Sequence, residues 1–183
     1  MRFRIAAIAA LAASLAVPAL AQTVQVGGQP MFPSKTIVAN AVNSADHTTL
    51  VAAVKAAGLV DTLNGPGPFT VFAPVNAAFA ALPAGTVDTL LKPENKPTLT
   101  KVLTYHVIPG SYDSAKLRQL IKAGGGEATL KTVAGEMLTF SMNGPTNIVV
   151  HDGKGAVADI TIADVRQSNG VIHVIDHVLL PAA

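Results

Sequence analysis

Five histidines are the side chains of this 183-residue chain that titrate near neutrality, and two of them, His173 and His177 in "VIHVIDHVLL", stand four apart. On a helix that spacing would offer two ligands to one zinc ion. The neighbours Val171, Ile172, Val174, Ile175 and Val178 predict a strand instead. On a strand both rings point to one face, but four residues span roughly 13 Å, too far for a single zinc with bonds of about 2 Å. The expectation is two hydrogen-bonded sheet histidines and no metal site.

The pair Tyr105-His106 in "LTYHVIPG" falls at a predicted helix-to-strand junction, with Pro109 and Gly110 turning the chain soon after. Such a pair serves either as a contact for a partner or as a structural hydrogen bond, the second being the commoner fate of buried Tyr and His tips. Ser111 and Ser114 lie near His106, yet no G-x-S-x-G elbow surrounds either, so a hydrolase built on His106 lacks its context. "GPG" and "GGGE" lack the lysine and the strand-loop-helix setting of a phosphate-binding loop. The 11 acidic residues are scattered, with no pair set apart as general acid and base. Neither an enzymatic activity nor a cofactor is expected.

The elements that must hold these residues begin after a leader. "MRFR", the apolar run Ile5 to Val17 and "ALA" before Gln22 have the plan of a secretory signal peptide over residues 1–21. The apolar run is shorter than the roughly 20 residues of a membrane-spanning helix, so no membrane span is expected after cleavage. Removing Arg2 and Arg4 from the 13 basic residues leaves 11 against 11 acidic ones, so the basic pI belongs to the leader. A neutral chain has no electrostatic footprint for nucleic acid. Subtracting 21 residues from 183 leaves 162, enough to bury a core without staples, which agrees with the absence of cysteine. A secreted or periplasmic monomer is expected.

Residues 22–35, with a Gly pair and prolines, read as an N-terminal tail. Helical periodicity follows around Ile37 to Val42 and Leu50 to Ala57, with Asp46 as N-cap and Gly58 as C-cap. After the breaker "NGPGP" comes the strand "FTVFA", then a short helix that Asn76 would cap and Pro83 would end. Further helices are predicted at Thr86 to Leu91, Pro97 to Tyr105 and Asp113 to Lys122. Beyond Gly126 the pattern turns to β: "TLKTV", "MLTFSM", "NIVV", "AVADITIADV" and "VIHVIDHVLL", separated by turn signals such as Asn143-Gly144 and Asn169-Gly170. Helices in front and strands behind make an α+β domain over 36–181. Gly67 to Pro83, "GPFTVFAPVNAAFAALP", concentrates three of the six phenylalanines, which suits a folding nucleus or a binding site equally.

Three stretches, "FTVFAPVNAAFAALP", "LTYHVIPG" and "NGVIHVIDHVLLP", have the order and spacing of the first block, the Tyr-His motif and the second block of fasciclin domains. The chain resembles the bacterial single-domain secreted members of that family. The resemblance implies a wedge of two sheets with the helices grouped in the N-terminal half. It also implies a non-enzymatic adhesion module whose partner is a protein or a cell-envelope polymer. In vertebrate matrix members adhesion is tied to the Tyr-His region and to a Glu-Pro-Asp-Ile-Met motif. The positions implied here are Tyr105, His106, Asp164 and Val165, with the motif's Glu and Pro absent. Some members carry carotenoids, so the alternative is a carrier of a small apolar ligand such as a carotenoid or lipid.

Overall fold

The run Phe69–Pro74, rich in β-branched and aromatic residues, is buried on both faces and so lies inside a sheet. The structure, a computed structural model, describes residues 23–182; the signal peptide expected over 1–21 lies outside the described residues. The order is a hairpin, β1 (Val24–Val26) and β2 (Gln29–Met31), then the helices α1 (Ile37–Ala41), α2 (Thr48–Ala57) and α3 (Val60–Asn64). Next come β3 (Phe69–Pro74), α4 (Asn76–Ala80), α5 (Thr86–Leu90), α6 (Lys96–Tyr105), β4 (Val107–Pro109) and α7 (Ser114–Ala123). The back half is β5 (Glu127–Lys131), β6 (Met137–Asn143), β7 (Asn147–His151), β8 (Val157–Gln167) and β9 (Gly170–Ile175). None of the described helices is long and apolar enough to cross a membrane.

Seven strands pair in the order β4-β3-β9-β8-β7-β6-β5, and only β3 and β9 run parallel. The long strand β8 serves both arms of the wedge. Its start, Val157 to Asp159, pairs with β7, and Ile160 to Gln167 pairs with β9 across two register irregularities. Such bulges sharpen the local bend, so β8 is where the sheet folds. The open side nearly closes: Val133 N–H donates to Val107 O at 2.8 Å and Ala134 N–H to Thr104 O at 3.3 Å. This is the expected α+β wedge, with a small two-stranded hairpin added to it.

Two apolar clusters follow from this geometry. One lies between the helices and the outer side of β3 and β9, and includes Leu50, Val54, Val71, Leu103 and Ile172. The other fills the wedge, where Phe72, Tyr105, Leu117, Leu138, Phe140 and Ile175 meet. The Phe72 and Phe140 rings are 5.3 Å apart and tilted by 39°. The phenylalanine-rich stretch therefore builds both cores.

Four local expectations need correction. The supposed tail at 22–35 contains the β1–β2 hairpin, whose Val26 and Met31 enter the helical cluster, because Gly27-Gly28 supplies the positive φ angles of a two-residue turn. Asp46 does not cap α2 but lies in a 3₁₀ turn, Ala45–His47, and Asn76 does not cap α4. Instead the Asn76 carboxamide reaches back to accept from Thr49 N–H at 3.0 Å, capping α2 from 27 positions away. Lastly, β9 stops at Ile175, so His177 is not on the strand, and its exposed ring turns to Asp176.

Phe72 is fully buried and touches both Phe140 and His173. Replacing it with alanine is expected to cost about 3–5 kcal/mol of stability in chemical denaturation. A loss below about 1 kcal/mol would contradict the packing described.

Candidate functional site

The Tyr105-His106 pair closes α6 and is enclosed, at 0% and 2% exposure. Tyr105 Oη donates to Met137 O at 3.0 Å and accepts from Gly153 N–H at 2.8 Å, tying the helix end to β6 and to the β7–β8 turn. Burial pushes its phenol above the usual range. His106 Nε2 accepts from Leu179 N–H at 2.9 Å, which leaves the proton on Nδ1, facing Val102 O at 2.8 Å. With both ring nitrogens spent on backbone, His106 cannot serve as base to a serine. Burial pushes this imidazole down to about 4. The pair is a structural bolt, and in this conformation neither residue can touch a partner.

Residues 178–182, which follow β9 and include Leu179, form a C-terminal strap that is held at two more points. Asp152 accepts from Leu180 N–H at 2.8 Å and Glu136 from Ala182 N–H at 3.0 Å. Glu136 also pairs with Lys101 at 2.8 Å, which holds its carboxyl below the usual range.

Asp164 and Val165 sit at the second irregularity of β8. Val165 is buried at 1% exposure, whereas Asp164 is half-buried and adopts φ +60°, the left-handed region that Asp tolerates better than most residues. Its carboxylate accepts from Ser114 N–H at 2.6 Å and Ser114 Oγ–H at 2.5 Å, locking the start of α7 onto the sheet. Burial works to raise this carboxyl, but the two bonds from Ser114, aided by His173 and Arg166, hold it below the usual range. Asp164 N–H donates to His173 Nδ1 at 3.3 Å, and His173 Nε2 faces Tyr112 O at 2.8 Å. His173 is thus a satisfied, neutral sheet histidine, pushed down by burial. Of the four positions expected to meet a partner, only Asp164 reaches the surface.

Sequence reasoning passed over Asn169, which appeared only as half of a turn signal. Its carboxamide accepts from Ile37 N–H at 3.0 Å and donates to Leu63 O at 2.7 Å and Gly65 O at 3.0 Å. It anchors α1, α3 and the loop before β3 to the β8–β9 turn. The Asn-Gly dipeptide signalled the turn, but nothing in sequence says which backbone an inward carboxamide will meet. Among the described residues, no three His, Cys, Asp or Glu side chains converge as a metal site.

The Fasciclin domain family model matches residues 45–181. Protein sll1483 of Synechocystis sp. is 54% identical over 148 residues, covering 80% of this chain and 73% of that protein. Immunogenic protein MPB70 of Mycobacterium bovis is 34% identical over 200 residues, covering 99% of this chain and 94% of that protein. Among solved structures, a FAS1 domain pair from the insect cell adhesion molecule fasciclin I aligns with a TM-score of 0.58 at 27% identity. That alignment covers 72% of this chain and 43% of the other.

The buried histidines set an acid limit. His106 stays neutral in the fold down to about pH 4, while in the unfolded chain it takes up a proton near 6.5. Between those values the unfolded state binds more protons, so stability falls as pH falls, by about 3 kcal/mol from this residue by the acid end. His47 and His173 act in the same direction, whereas Asp164 and Glu136 lose their contributions only at lower pH. Urea midpoints between pH 7 and 4.5 are expected to drop less steeply in His106→Gln than in the parent. Equal slopes would show that this imidazole is not the titrating group.

Proposed function

The chain belongs to the fasciclin domain family, and from that premise we propose that it works outside the cytoplasm as a non-enzymatic interaction module for a protein or a cell-envelope polymer. The observation that carries this reading is the kinship with a domain pair from a cell adhesion molecule. The signal-like leader supports export. The roles found for the titratable groups support a non-enzymatic reading, since the imidazoles of His106 and His173 are consumed in backbone bonds. In this proposal Asp164 lies on the contacting face, and Tyr105, His106 and Val165 act from beneath by fixing α6, the C-terminal strap and β8.

One feature favours the second reading, a carrier of a small apolar ligand. An apolar cavity of about 80 Å³ lies between α1, α2, α3 and β3, lined by Val38, Leu50, Val54, Leu63 and Val71 among others. Its size decides against a large cargo. An engineered cavity of roughly 150 Å³ takes one benzene, so a carotenoid or an acyl lipid would require the helices to part. The interaction module is the better supported of the two.

Purified protein is expected to bind host cell-envelope material saturably. Asp164→Asn, which keeps the shape of the lock on Ser114, is expected to weaken binding by about tenfold, the size of a modest contact hot spot. A folded variant with unchanged affinity would remove Asp164 from the contact. Absence of saturable binding by the parent would overturn the module reading.

A further inference from the structure

Beside the second motif block lies an open, polar pocket of about 360 Å³ formed by three segments: the loop Pro66 to Pro68, the residue Ser111, and the β8–β9 turn with Arg166, Ser168 and Gly170. The walls are fixed to one another. Gly110 N–H donates to Pro68 O at 2.8 Å, and Phe69 N–H donates to Asn169 O at 3.0 Å. The buried Thr70 hydroxyl donates to Gly110 O at 2.7 Å and accepts from Tyr112 N–H at 2.9 Å, so Ser111 is held from both sides. The floor admits only glycine at two places. A Cβ on Gly67 would come within 2.3 Å of Asn169 O, and one on Gly170 within 2.0 Å of Phe69 O.

Within this rigid frame some polar groups are spent and others are not. Asn169 and Gln167 turn their carboxamides inward, to Ile37, Leu63, Gly65 and Asn40. Arg166 does not. Its side chain is 66% exposed and makes a single long contact, 3.4 Å, with Asp113 Oδ2. A guanidinium has five N–H donors in a planar fork suited to a carboxylate. The hydroxyls of Ser111 and Ser168 form no hydrogen bond with any described residue and line the same space. The Lys35 carbonyl accepts from Ser168 N–H at 2.9 Å, but the Lys35 ammonium lies over the Phe32 ring and that of Lys116 over the Tyr112 ring. Arg166 is therefore the one cationic side chain that lines the pocket among the described residues.

We propose that this pocket binds a carboxylated saccharide, with the Arg166 guanidinium as the anion contact and the Ser111 and Ser168 hydroxyls meeting sugar hydroxyls. The volume falls within the roughly 300–1,000 Å³ of small-ligand sites. Two exposed proline rings offer flat apolar edges to a sugar ring, and this pocket, as its described residues line it, has no deep apolar hole to anchor an aromatic side chain of a protein partner. The inference rests on the interaction-module reading and names the chemistry of its partner.

The probe is trigalacturonic acid, with its methyl ester and a glutamate peptide of equal charge as comparisons, titrated calorimetrically against the whole protein. Proton–nitrogen spectra follow the amides of Ser111, Ser168 and Gly170. The acid is expected to bind and shift those amides, with the ester, the peptide and Arg166→Ala each at least about tenfold weaker. Arg166→Lys keeps the charge without the fork and is expected to lose part of the affinity. Equal binding of the ester, shifts elsewhere, or unchanged affinity in a folded Arg166→Ala protein would overturn the proposal, as would preference for the peptide. Envelope binding that survives Arg166→Ala would sink this pocket and leave the module reading standing. Loss of all envelope binding with trigalacturonate binding intact would do the reverse.

Discussion

The parallel pairing of Phe69–Pro74 with Gly170–Ile175 is the contact on which the rest of the structure depends. It joins segments about a hundred residues apart, so its loop-closure cost is met only when both strands also bury their faces. Both do, being buried along nearly their whole length. Once they are side by side, Asn169 lies at the start of the ladder, where it can take up the backbone of Ile37, Leu63 and Gly65. At the other end Ile175 O accepts from Val75 N–H and leads the chain into the strap that His106 holds. The two sequence blocks that carry the family resemblance are therefore one structural object.

That pairing also explains what could be read from the sequence. The periodicities of α6, α7 and the C-terminal strands are local, and the structure has them within a residue or two, except that β9 ends at Ile175, five residues before the apolar run does. The helix cap at Asp113 is local as well, its carboxylate accepting from Lys116 N–H three residues on. The capping of α2 by Asn76 is not local, and a propensity argument assigned that cap to the nearer Asp46. The same limit hid the β1–β2 hairpin. A Gly pair and prolines read as a tail until Val26 and Met31 are seen entering the core.

The site shows the limit most clearly. Tyr105 and His106 are recognisable as a motif, but recognition does not distinguish a surface from a bolt. Burial does, and it puts both inside with every polar atom paired. Asp164 was legible only as an acidic residue in roughly the right place. Its left-handed backbone and its grip on Ser114 come from the bulged register of β8, which depends on β7 and β9 together. Arg166, two residues on, falls at the motif's methionine position and does not match it.

A physical division of labour follows. The buried polar residues, His47, His106, His173, Asn40 and Asn169, are neutral and bond both as donor and as acceptor, so each can link two chain segments without burying a charge. The one buried carboxylate among the described residues, Asp152, is met by three backbone N–H donors, those of Lys154, Ala156 and Leu180. Arg166 and Asp113 lie at the surface, paired at 3.4 Å. A recognition surface on a frame linked in this way has its geometry fixed before any partner arrives, so binding spends little on ordering the loops. The surface residues are then free to differ in charge and shape without disturbing the fold.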